Sequence, residues 1–216
     1  MRKLIDCHLY GILDLGYVEE KVAVDMAVAM IRGGVDLIQL RGKNMVVDRL
    51  TELAAALHKV TAESGIPLVV NDHAEIGLQV PVEGVHVGQD DEPVTSVRKT
   101  VNRSIWVGKS THSLEQARAA QRDGADYIGF GPLYATPTKP DYIPIGLNFI
   151  SQVHDEIKCP IFCIGGIKLE NLPQVIAAGA KRVVIVSGLL QAGDISEYAR
   201  VCKQLLISNQ PLITNH

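Results

Sequence analysis

Residues 34–43 read Gly-Val-Asp-Leu-Ile-Gln-Leu-Arg-Gly-Lys, which is a glycine, a short apolar run and then a polar end. A glycine that ends a helix and leads directly into an apolar run is the joint expected between a helix and a parallel strand. The same joint recurs as Gly-Ala-Asp-Tyr-Ile at 124–128 and as Gly-Ala-Lys-Arg-Val at 179–183. This weak internal repeat predicts a chain of alternating strands and helices.

Eight such apolar runs are spread along the chain, and polar residues or glycines follow each of them. They are 8–14, 36–41, 66–71, 84–88, 104–110, 126–131, 160–165 and 182–187. Their lack of clean alternation suits parallel strands that are buried on both faces. Eight units of nearly even length favour an α/β fold with a single closed (β/α)8 TIM barrel over an open doubly wound sheet. The polar residues would then meet at the rim where such barrels carry their chemistry.

Two local patterns mark helix ends between the runs. Leu50, Leu57 and Val60 recur at helical spacing before Ser-Gly at 64–65, which predicts that a helix ends there. Ser113 and Gln116 have the spacing of a capping box, which predicts a helix start at Ser113.

The bulk composition limits the classes of protein to consider. The 216 residues suffice for one domain, predicted as 1–216 with a core from about 8 to 206 and a flexible tail at 207–216. A net charge of −3 gives no reason to expect a nucleic-acid or membrane surface, and no run is long enough to span a bilayer. The N-terminus lacks the apolar core of a signal peptide, so a cytoplasmic location is expected. The oligomeric state stays open, with a homodimer as the common outcome for soluble enzymes.

Gln39, Arg41 and Lys43 occupy every second position across the end of the second run. On an extended segment this spacing puts all three side chains on one side. A guanidinium and an ammonium aimed at one place favour a phosphate or diphosphate ligand. The alternative is an ordinary pair of surface cations, which the otherwise apolar run disfavours.

Two acidic residues follow neighbouring strands, because Asp72 comes after the third run and Asp91 after the fourth. Neighbouring strands lie about 4.8 Å apart, so both carboxylates can reach one hard cation. Mg²⁺ takes one or two carboxylates and completes its shell with water and phosphate oxygens. Asp90 is expected to point elsewhere. In the alternative interpretation, Asp91 only opens a helix, where acids favour the N-terminal dipole.

The longest connection, residues 132–145, contains Thr-Pro-Thr-Lys at 136–139. Two hydroxyls and an ammonium suit an anion held during a reaction, and a solvated loop lysine is the alternative for Lys139. Long connections of this kind are usually functional, so this loop is a candidate lid. Gly-Gly at 165–166 and Ser-Gly at 187–188 follow the last two runs, where barrels often bind phosphate through backbone N–H groups.

Two histidines lie near these clusters. His86 falls within the fourth run, where a satisfied core histidine is the ordinary interpretation. His112 follows Ser110 on the expected rim and is either an acid or base or a loop-bonding residue, of which the structural role is favoured.

Seven motifs taken together resemble the thiamine-phosphate synthase family over residues 9–190. They are Gln-Leu-Arg-Gly-Lys (39–43), Val-Asn-Asp (70–72), His-Val-Gly-Gln-Asp-Asp (86–91), Ser-Thr-His (110–112), Gly-Pro-Leu-Tyr-Ala-Thr-Pro-Thr-Lys-Pro (131–140), Ile-Gly-Gly-Ile (164–167) and Val-Ser-Gly (186–188). The resemblance implies a TIM barrel and a transferase whose partners are small molecules. In that reaction hydroxymethylpyrimidine diphosphate loses diphosphate, and the nitrogen of a thiazole phosphate bonds to the methylene carbon.

The resemblance also implies a role for individual residues. Asp72 and Asp91 would hold one Mg²⁺. The pyrimidine diphosphate would be bound by Gln39, Leu40, Arg41, Gly42, Lys43, Asn71, Ser110 and Lys139, among which Arg41, Lys43, Ser110 and Lys139 would be catalytic. The thiazole phosphate would be bound by Thr136, Pro137, Thr138, Gly166, Val186 and Ser187.

Two residues depart from the family pattern. Lys109 stands where an apolar residue is more common, and it either adds to the diphosphate site or points outside the barrel. Gly42 stands where a larger polar residue is common. Three alternatives stay open: a thiazole tautomerase of the same superfamily with His112 as proton shuttle, a sugar-phosphate epimerase, and a non-catalytic phosphate-binding paralogue. The presence of both metal ligands with Lys139 favours the synthase.

Overall fold

The strands close into a barrel. The computed structural model describes residues 2–136 and 142–208. Within them parallel strands pair in chain order, and the last strand pairs with the first. The strands are β1 (Leu9–Asp14), β2 (Leu37–Arg41), β3 (Leu68–Asn71), β4 (Gly84–Val87), β5 (Trp106–Thr111), β6 (Tyr127–Phe130), β7 (Ile161–Cys163) and β8 (Val183–Ile185). The predicted TIM barrel is confirmed. Each strand lies inside its predicted run, except that β5 extends one residue beyond it.

Helices connect the strands on the outside of the barrel. They are α1 (Ala23–Arg32), α2 (Val47–Glu63), α3 (Ile76–Gln79), α4 (Val94–Val101), α5 (Leu114–Arg122), α6 (Ile150–Glu156), α7 (Leu172–Ala177), α8 (Ser187–Leu190) and α9 (Ile195–Ser208), with 3₁₀ turns at Leu4–Asp6 and Glu20–Val22. The predicted cap is confirmed, because the Ser113 Oγ accepts a hydrogen bond from the Gln116 N–H at 3.2 Å. Within the described ranges, no helix combines the length and apolar character needed to cross a membrane.

The repeated glycine joints have the conformation that their position demands. Gly34, Gly124 and Gly179 have φ angles of +90°, +83° and +105°. Only glycine adopts such angles without strain, and each one turns the end of a helix directly into the next strand.

Two apolar layers form the core. The larger lies between the barrel and its helices, and the smaller fills the barrel interior around Tyr10, Tyr127 and Phe162. These three rings meet edge to face, with centroids 5.3 to 6.1 Å apart. This packing fills the N-terminal half of the barrel, so the space left for a ligand lies in the C-terminal half.

The N-terminal end of the barrel is tied by one buried carboxylate. Asp36 is fully buried and accepts hydrogen bonds from the backbone N–H groups of His8 and Leu9 at 2.8 and 2.9 Å. It also accepts from the side chains of Arg2 and Lys203, the latter on α9. The start of the chain and its last described helix are thus joined at one point.

The packed part of the chain is longer than predicted at both ends. Leu4 is buried in the interior layer, so packing begins before position 8 because the first 3₁₀ turn covers the barrel floor. Helix α9 continues to Ser208, two residues into the predicted tail. The rest of that tail, 209–216, lies outside the described residues.

Candidate active site

An open cavity lies at the C-terminal ends of the strands, with about 810 Å³ of empty space that includes space open to solvent. Inward-facing residues near the C-terminal ends of the strands supply most of its lining, because side chains alternate across each strand. The lining residues within or next to the strands are Ile12, Asp14, Gln39, Arg41, Asn71, His86, Ser110, Thr111, Gly129, Ile164 and Val184. Gln39, Arg41, Asn71 and Ser110, which come from three separate strands, therefore face one space.

Arg41 is held by a partner that the sequence analysis missed. Its Nη1 donates to the Asp14 Oδ2 at 2.6 Å, and the two side chains are only 13% and 2% exposed. The second carboxylate oxygen of Asp14 accepts from the Gly16 N–H at 2.9 Å. Asp14 is the last residue of the first apolar run, as the other polar site residues are of theirs. That position in the sequence could have identified it as a site residue.

The neighbours of Arg41 face in different directions. Lys43 is exposed and lines an adjoining open hollow that it shares with Arg41. Gly42 is buried, and a Cβ there would lie 2.9 Å from the Leu50 Cδ1. Leu40 is fully buried in the outer layer. The assignment of Leu40 is therefore corrected for its side chain, which alternation turns away from the cavity, so that only its backbone is available to a ligand.

Asp72 and Asp91 lie together at the ends of β3 and β4. Burial, a hydrogen bond with Asp91 and the negative charge of Asp91 raise the pKa of Asp72 to about 6, while Lys43 and Arg41 act to lower it. Asp72 has a φ of +64°, and its N–H donates to the His86 carbonyl at 2.8 Å. Aspartate tolerates this left-handed conformation, which turns its side chain toward the neighbouring strand.

Asp91 accepts a hydrogen bond from the Gly88 N–H through its Oδ2, at 2.7 Å. Helix α4 begins only at Val94, and the residue at its N-cap, Pro93, makes no side-chain capping bond. Asp91 therefore lies outside the helix, two residues before its N-cap.

The two carboxylates suit a hard divalent cation. In residues 2–136 and 142–208, no group of three or more His, Cys, Asp or Glu side chains is arranged to hold a metal ion. Mg²⁺ does not need such a group, since water and substrate oxygens complete its shell. Two carboxylates close enough to raise one pKa by mutual repulsion are a pair that a cation would neutralise.

A chain of hydrogen bonds crosses the barrel below the cavity. The Gln39 Nε2 donates to the Tyr10 hydroxyl at 2.5 Å, which lies 3.1 Å from the Tyr127 hydroxyl. Tyr127 lies 3.2 Å from the His86 Nδ1, and the His86 Nε2 lies 3.0 Å from the Ser110 Oγ. Two cavity residues, Gln39 and Ser110, are thereby connected through the interior.

The chemistry of the first donor determines which group donates in each of these hydrogen bonds. An amide nitrogen only donates, so Tyr10 accepts from Gln39 and its own proton is left for Tyr127, which in turn donates to the His86 Nδ1. Burial raises the pKa of both tyrosines far above its usual value, so both stay neutral. His86 then carries its proton on Nε2 and donates to Ser110, whose hydroxyl proton is left for the cavity. The expected satisfied core histidine is confirmed, and its partner is a cavity residue.

The opposite side of the cavity is lined by Thr136, Gly166, Val186 and Ser187. Gly166 has a φ of +64°, and a Cβ there would lie 2.7 Å from the Tyr134 Cβ. The absence of a side chain at this position is therefore required by the backbone and by its neighbour.

The predicted loop residues Pro137, Thr138 and Lys139 lie outside the described residues. The first part of the loop is fixed over β7, because the Leu133 and Tyr134 N–H groups donate to the carbonyls of Ile164 and Gly165 at 2.9 and 3.0 Å. The lid stays a prediction.

His112 and Lys109 are both tied to backbone. His112 contacts the Gly131 carbonyl through Nδ1, and its ring lies 4.5 Å from that of Tyr142. These contacts agree with the favoured structural role. The Lys109 Nζ donates to the Gly88 carbonyl at 2.5 Å, which agrees with a side chain that points outside the barrel.

A sequence model of the family described as thiamine monophosphate synthase matches residues 9–189. The chain belongs to this family. A relative named thiamine-phosphate synthase, from Halalkalibacterium halodurans, is 39% identical over 202 residues, covering 93% of this chain and 96% of that protein. Another family relative with the same name, from Chloroflexus aurantiacus, is 38% identical over 208 residues and 96% of each chain.

The fold of the thiamine monophosphate synthase family is also present in a similar solved structure. Thiamine phosphate pyrophosphorylase from Pyrococcus furiosus superposes with a TM-score of 0.87 at 27% identity, covering 95% of this chain and 98% of the other. Sequence and structure therefore agree on the family.

Proposed function

We propose that this protein is a thiamine-phosphate synthase that joins hydroxymethylpyrimidine diphosphate to hydroxyethylthiazole phosphate. The observation that supports it most directly is that Asp72 and Asp91 lie together near Arg41, which lines a cavity whose other side carries Gly166 and Ser187. One side suits a diphosphate and the other a single phosphate. The family and the names of the relatives support the same reaction.

The diphosphate would bind between the cations and the carboxylate pair. Arg41, oriented by Asp14, and the exposed Lys43 supply positive charge, while Asn71 and Ser110 supply polar hydrogens. As the carbon–oxygen bond breaks, both of its electrons pass to the diphosphate oxygen. Preorganised cations stabilise that negative charge as it develops, which lowers the barrier. Lys139 would belong to this group.

Asp72 and Asp91 would hold one Mg²⁺, which when bound would neutralise charge on the leaving diphosphate. The carboxylates would keep the cation beside Arg41 and Lys43, so that the metal ion and both cationic side chains would face the diphosphate together.

The new bond would form without a protein nucleophile. The aminopyrimidine delocalises the positive charge left on its methylene carbon, and Gln39 would orient that ring. Thr136, Gly166 and Ser187 would bind the thiazole phosphate, so that the lone pair of the thiazole nitrogen attacks the methylene carbon. The apolar lining of Ile12, Ile164 and Val184 excludes water, which would otherwise capture the cation. A cytoplasmic location fits this proposal, and a homodimer stays a prediction.

The test is to mix the full chain with both substrates and Mg²⁺ and to follow thiamine phosphate and diphosphate by mass spectrometry. The two products are expected in equal amounts, and turnover is expected to stop in excess chelator. An Asp72→Asn variant should lose about 10²–10³-fold in kcat. Glu75→Gln, which changes an exposed acid three residues away, is the matched control. Absence of thiamine phosphate with the wild-type protein would refute the proposal, and thiazole isomerisation alone would favour the tautomerase.

A further inference from the structure

Lys109 lies on the outer side of β5, between two residues that face the interior. Ser110 bonds to His86 inside the barrel, and a Cβ on Gly108 would lie 2.2 Å from the Tyr127 ring. Alternation therefore turns Lys109 toward the helices. Its Nζ donates a hydrogen bond to the Gly88 carbonyl at 2.5 Å, at the start of the turn that joins β4 to α4.

That turn carries Asp91 and is tied to β5 at two successive residues. Lys109 holds the carbonyl of Gly88, and the Gln89 side chain donates to the carbonyl of Ser110. The N–H of Gly88 donates to the Asp91 Oδ2 at 2.7 Å. The same glycine thus receives Lys109 on its carbonyl and holds Asp91 with its N–H. A Cβ on Gly88 would lie 2.6 Å from that carboxylate oxygen, so a side chain there would displace the Asp91 carboxylate.

We propose that Lys109 is a positioning residue that fixes the β4–α4 turn, and through Gly88 the Asp91 carboxylate, in the arrangement that a divalent cation needs. This inference rests on the cation site of the proposed function. Metal-ligating carboxylates commonly depend on such supporting bonds, whose loss weakens metal binding about 10–100-fold. Lys109 supports its ligand through one peptide group, so a loss at or just below the lower end of that range is expected.

The charge of Lys109 and its hydrogen bond should have opposite effects on the affinity of the site for a divalent cation. Burial lowers the pKa of Lys109 while the nearby carboxylates of Asp91, Asp123 and Asp90 raise it, so the ammonium interacts electrostatically with Asp91. A cation next to a cation site weakens metal binding. Removal of Lys109 would therefore tighten binding if charge dominated, and would weaken binding if positioning dominated. The sign of the change distinguishes the two roles.

The experiment measures Mn²⁺ binding to the substrate-free full chain by isothermal titration calorimetry. Lys109→Met keeps the side-chain length and removes the donor, and its Kd should rise about five- to tenfold. Lys109→Arg keeps both donor and charge, and its Kd should stay within about twofold of wild type. Lys99→Met, which removes an exposed lysine on α4, should leave the Kd unchanged. Thermal melts show whether each variant is folded.

A Lys109→Met variant that binds Mn²⁺ as tightly as wild type, or more tightly, would overturn the inference. A fivefold loss that Lys109→Arg fails to restore would overturn it as well, because the lost hydrogen bond would not be the cause. If the wild-type protein binds no Mn²⁺ either alone or with added inorganic diphosphate, the cation site of the proposed function fails. These outcomes separate failure of the positioning role from failure of the site.

Discussion

Asp14 makes Arg41 a fixed group where the sequence alone shows only a cation at the end of a strand. The carboxylate is almost fully buried, and one of its oxygens already serves the Gly16 N–H. A guanidinium held by a buried carboxylate loses little further freedom when a diphosphate binds. The sequence analysis found Arg41 because of its spacing from Gln39, but it missed Asp14, whose partner is 27 residues away.

Replacement of Asp14 by asparagine should weaken catalysis more than it weakens the fold. The amide keeps the shape of the side chain but not the charge that orients Arg41, so kcat/KM for the pyrimidine diphosphate should fall about 10–100-fold. Steady-state kinetics at saturating thiazole phosphate measure the change. Asp25→Asn, at an exposed position on α1, is the control. Unchanged kcat/KM in the Asp14 variant would show that Arg41 needs no such support.

Tyr127 should show energetic coupling to Tyr10. Tyr127→Phe leaves the Tyr10 hydroxyl and the His86 Nδ1 without their buried partner, which should cost about 1–3 kcal/mol in the free energy of unfolding. Tyr10→Phe should cost a similar amount. The double variant should cost at least about 0.5 kcal/mol less than the sum, because the second change removes a hydroxyl that has already lost its bond to the other tyrosine. Urea unfolding of the four proteins measures this, and strict additivity would contradict the connected chain.

At the scale of elements, β5 has an inner face shaped by its neighbours. Gly108 lies where the rings of Tyr127 and His86 fill the interior, with contacts of 2.2 and 2.5 Å to any added Cβ. The next inward residue, Ser110, enters the cavity. The outer face of the same strand carries Lys109, so one strand connects the interior packing, the cavity and the β4–α4 turn.

Gly108→Ala should therefore destabilise the protein although alanine suits a strand conformation. Overpacking of this kind costs about 1–3 kcal/mol, because the Tyr127 and His86 rings must move. Gly193→Ala is the matched control, since a Cβ there meets nothing within 4 Å and should change the free energy of unfolding by less than about 0.5 kcal/mol. Equal thermal midpoints for the two variants would contradict this account.

The elements were more predictable than the contacts across the barrel. The joints at Gly34, Gly124 and Gly179 depend on backbone angles that one residue type adopts, so a single sequence shows them. Spacing placed Gln39 with Arg41, and strand order placed Asp72 near Asp91. The pairing of Tyr10 with Tyr127 joins residues 117 positions apart, and no local pattern indicates it. Closed topology decides which distant residues meet, and that information is absent from any one segment.

At the scale of the whole molecule, stability should depend on pH through a histidine remote from the cavity. His154 on α6 has a buried Nε2 without a hydrogen-bond partner among the described residues. Burial, followed by the charges of Lys181 and Arg182, lowers its pKa from 6.5 to about 4. The unfolded chain therefore binds a proton that the folded protein rejects between these values. Stability from this source is complete above pH 6.5 and is lost as the pH falls toward 4.

The expected loss is about 1–2 kcal/mol, allowing for the partial exposure of the ring. Urea unfolding at several pH values between 7 and 4 measures it. His154→Gln cannot take up a proton, so its free energy of unfolding should fall less over this range than that of the wild type. If both proteins lose stability in parallel, His154 is not the titrating group.

Because β1 pairs with β8, the barrel cannot close until the last strand has been synthesised. As the chain leaves the ribosome, one side of β1 has no strand beside it until Ile185 has emerged. The nascent polypeptide therefore presents two open sheet edges for most of its translation, and such edges attract strands of other chains. A message cut short before the codons for β8 would yield a product that cannot cover either edge.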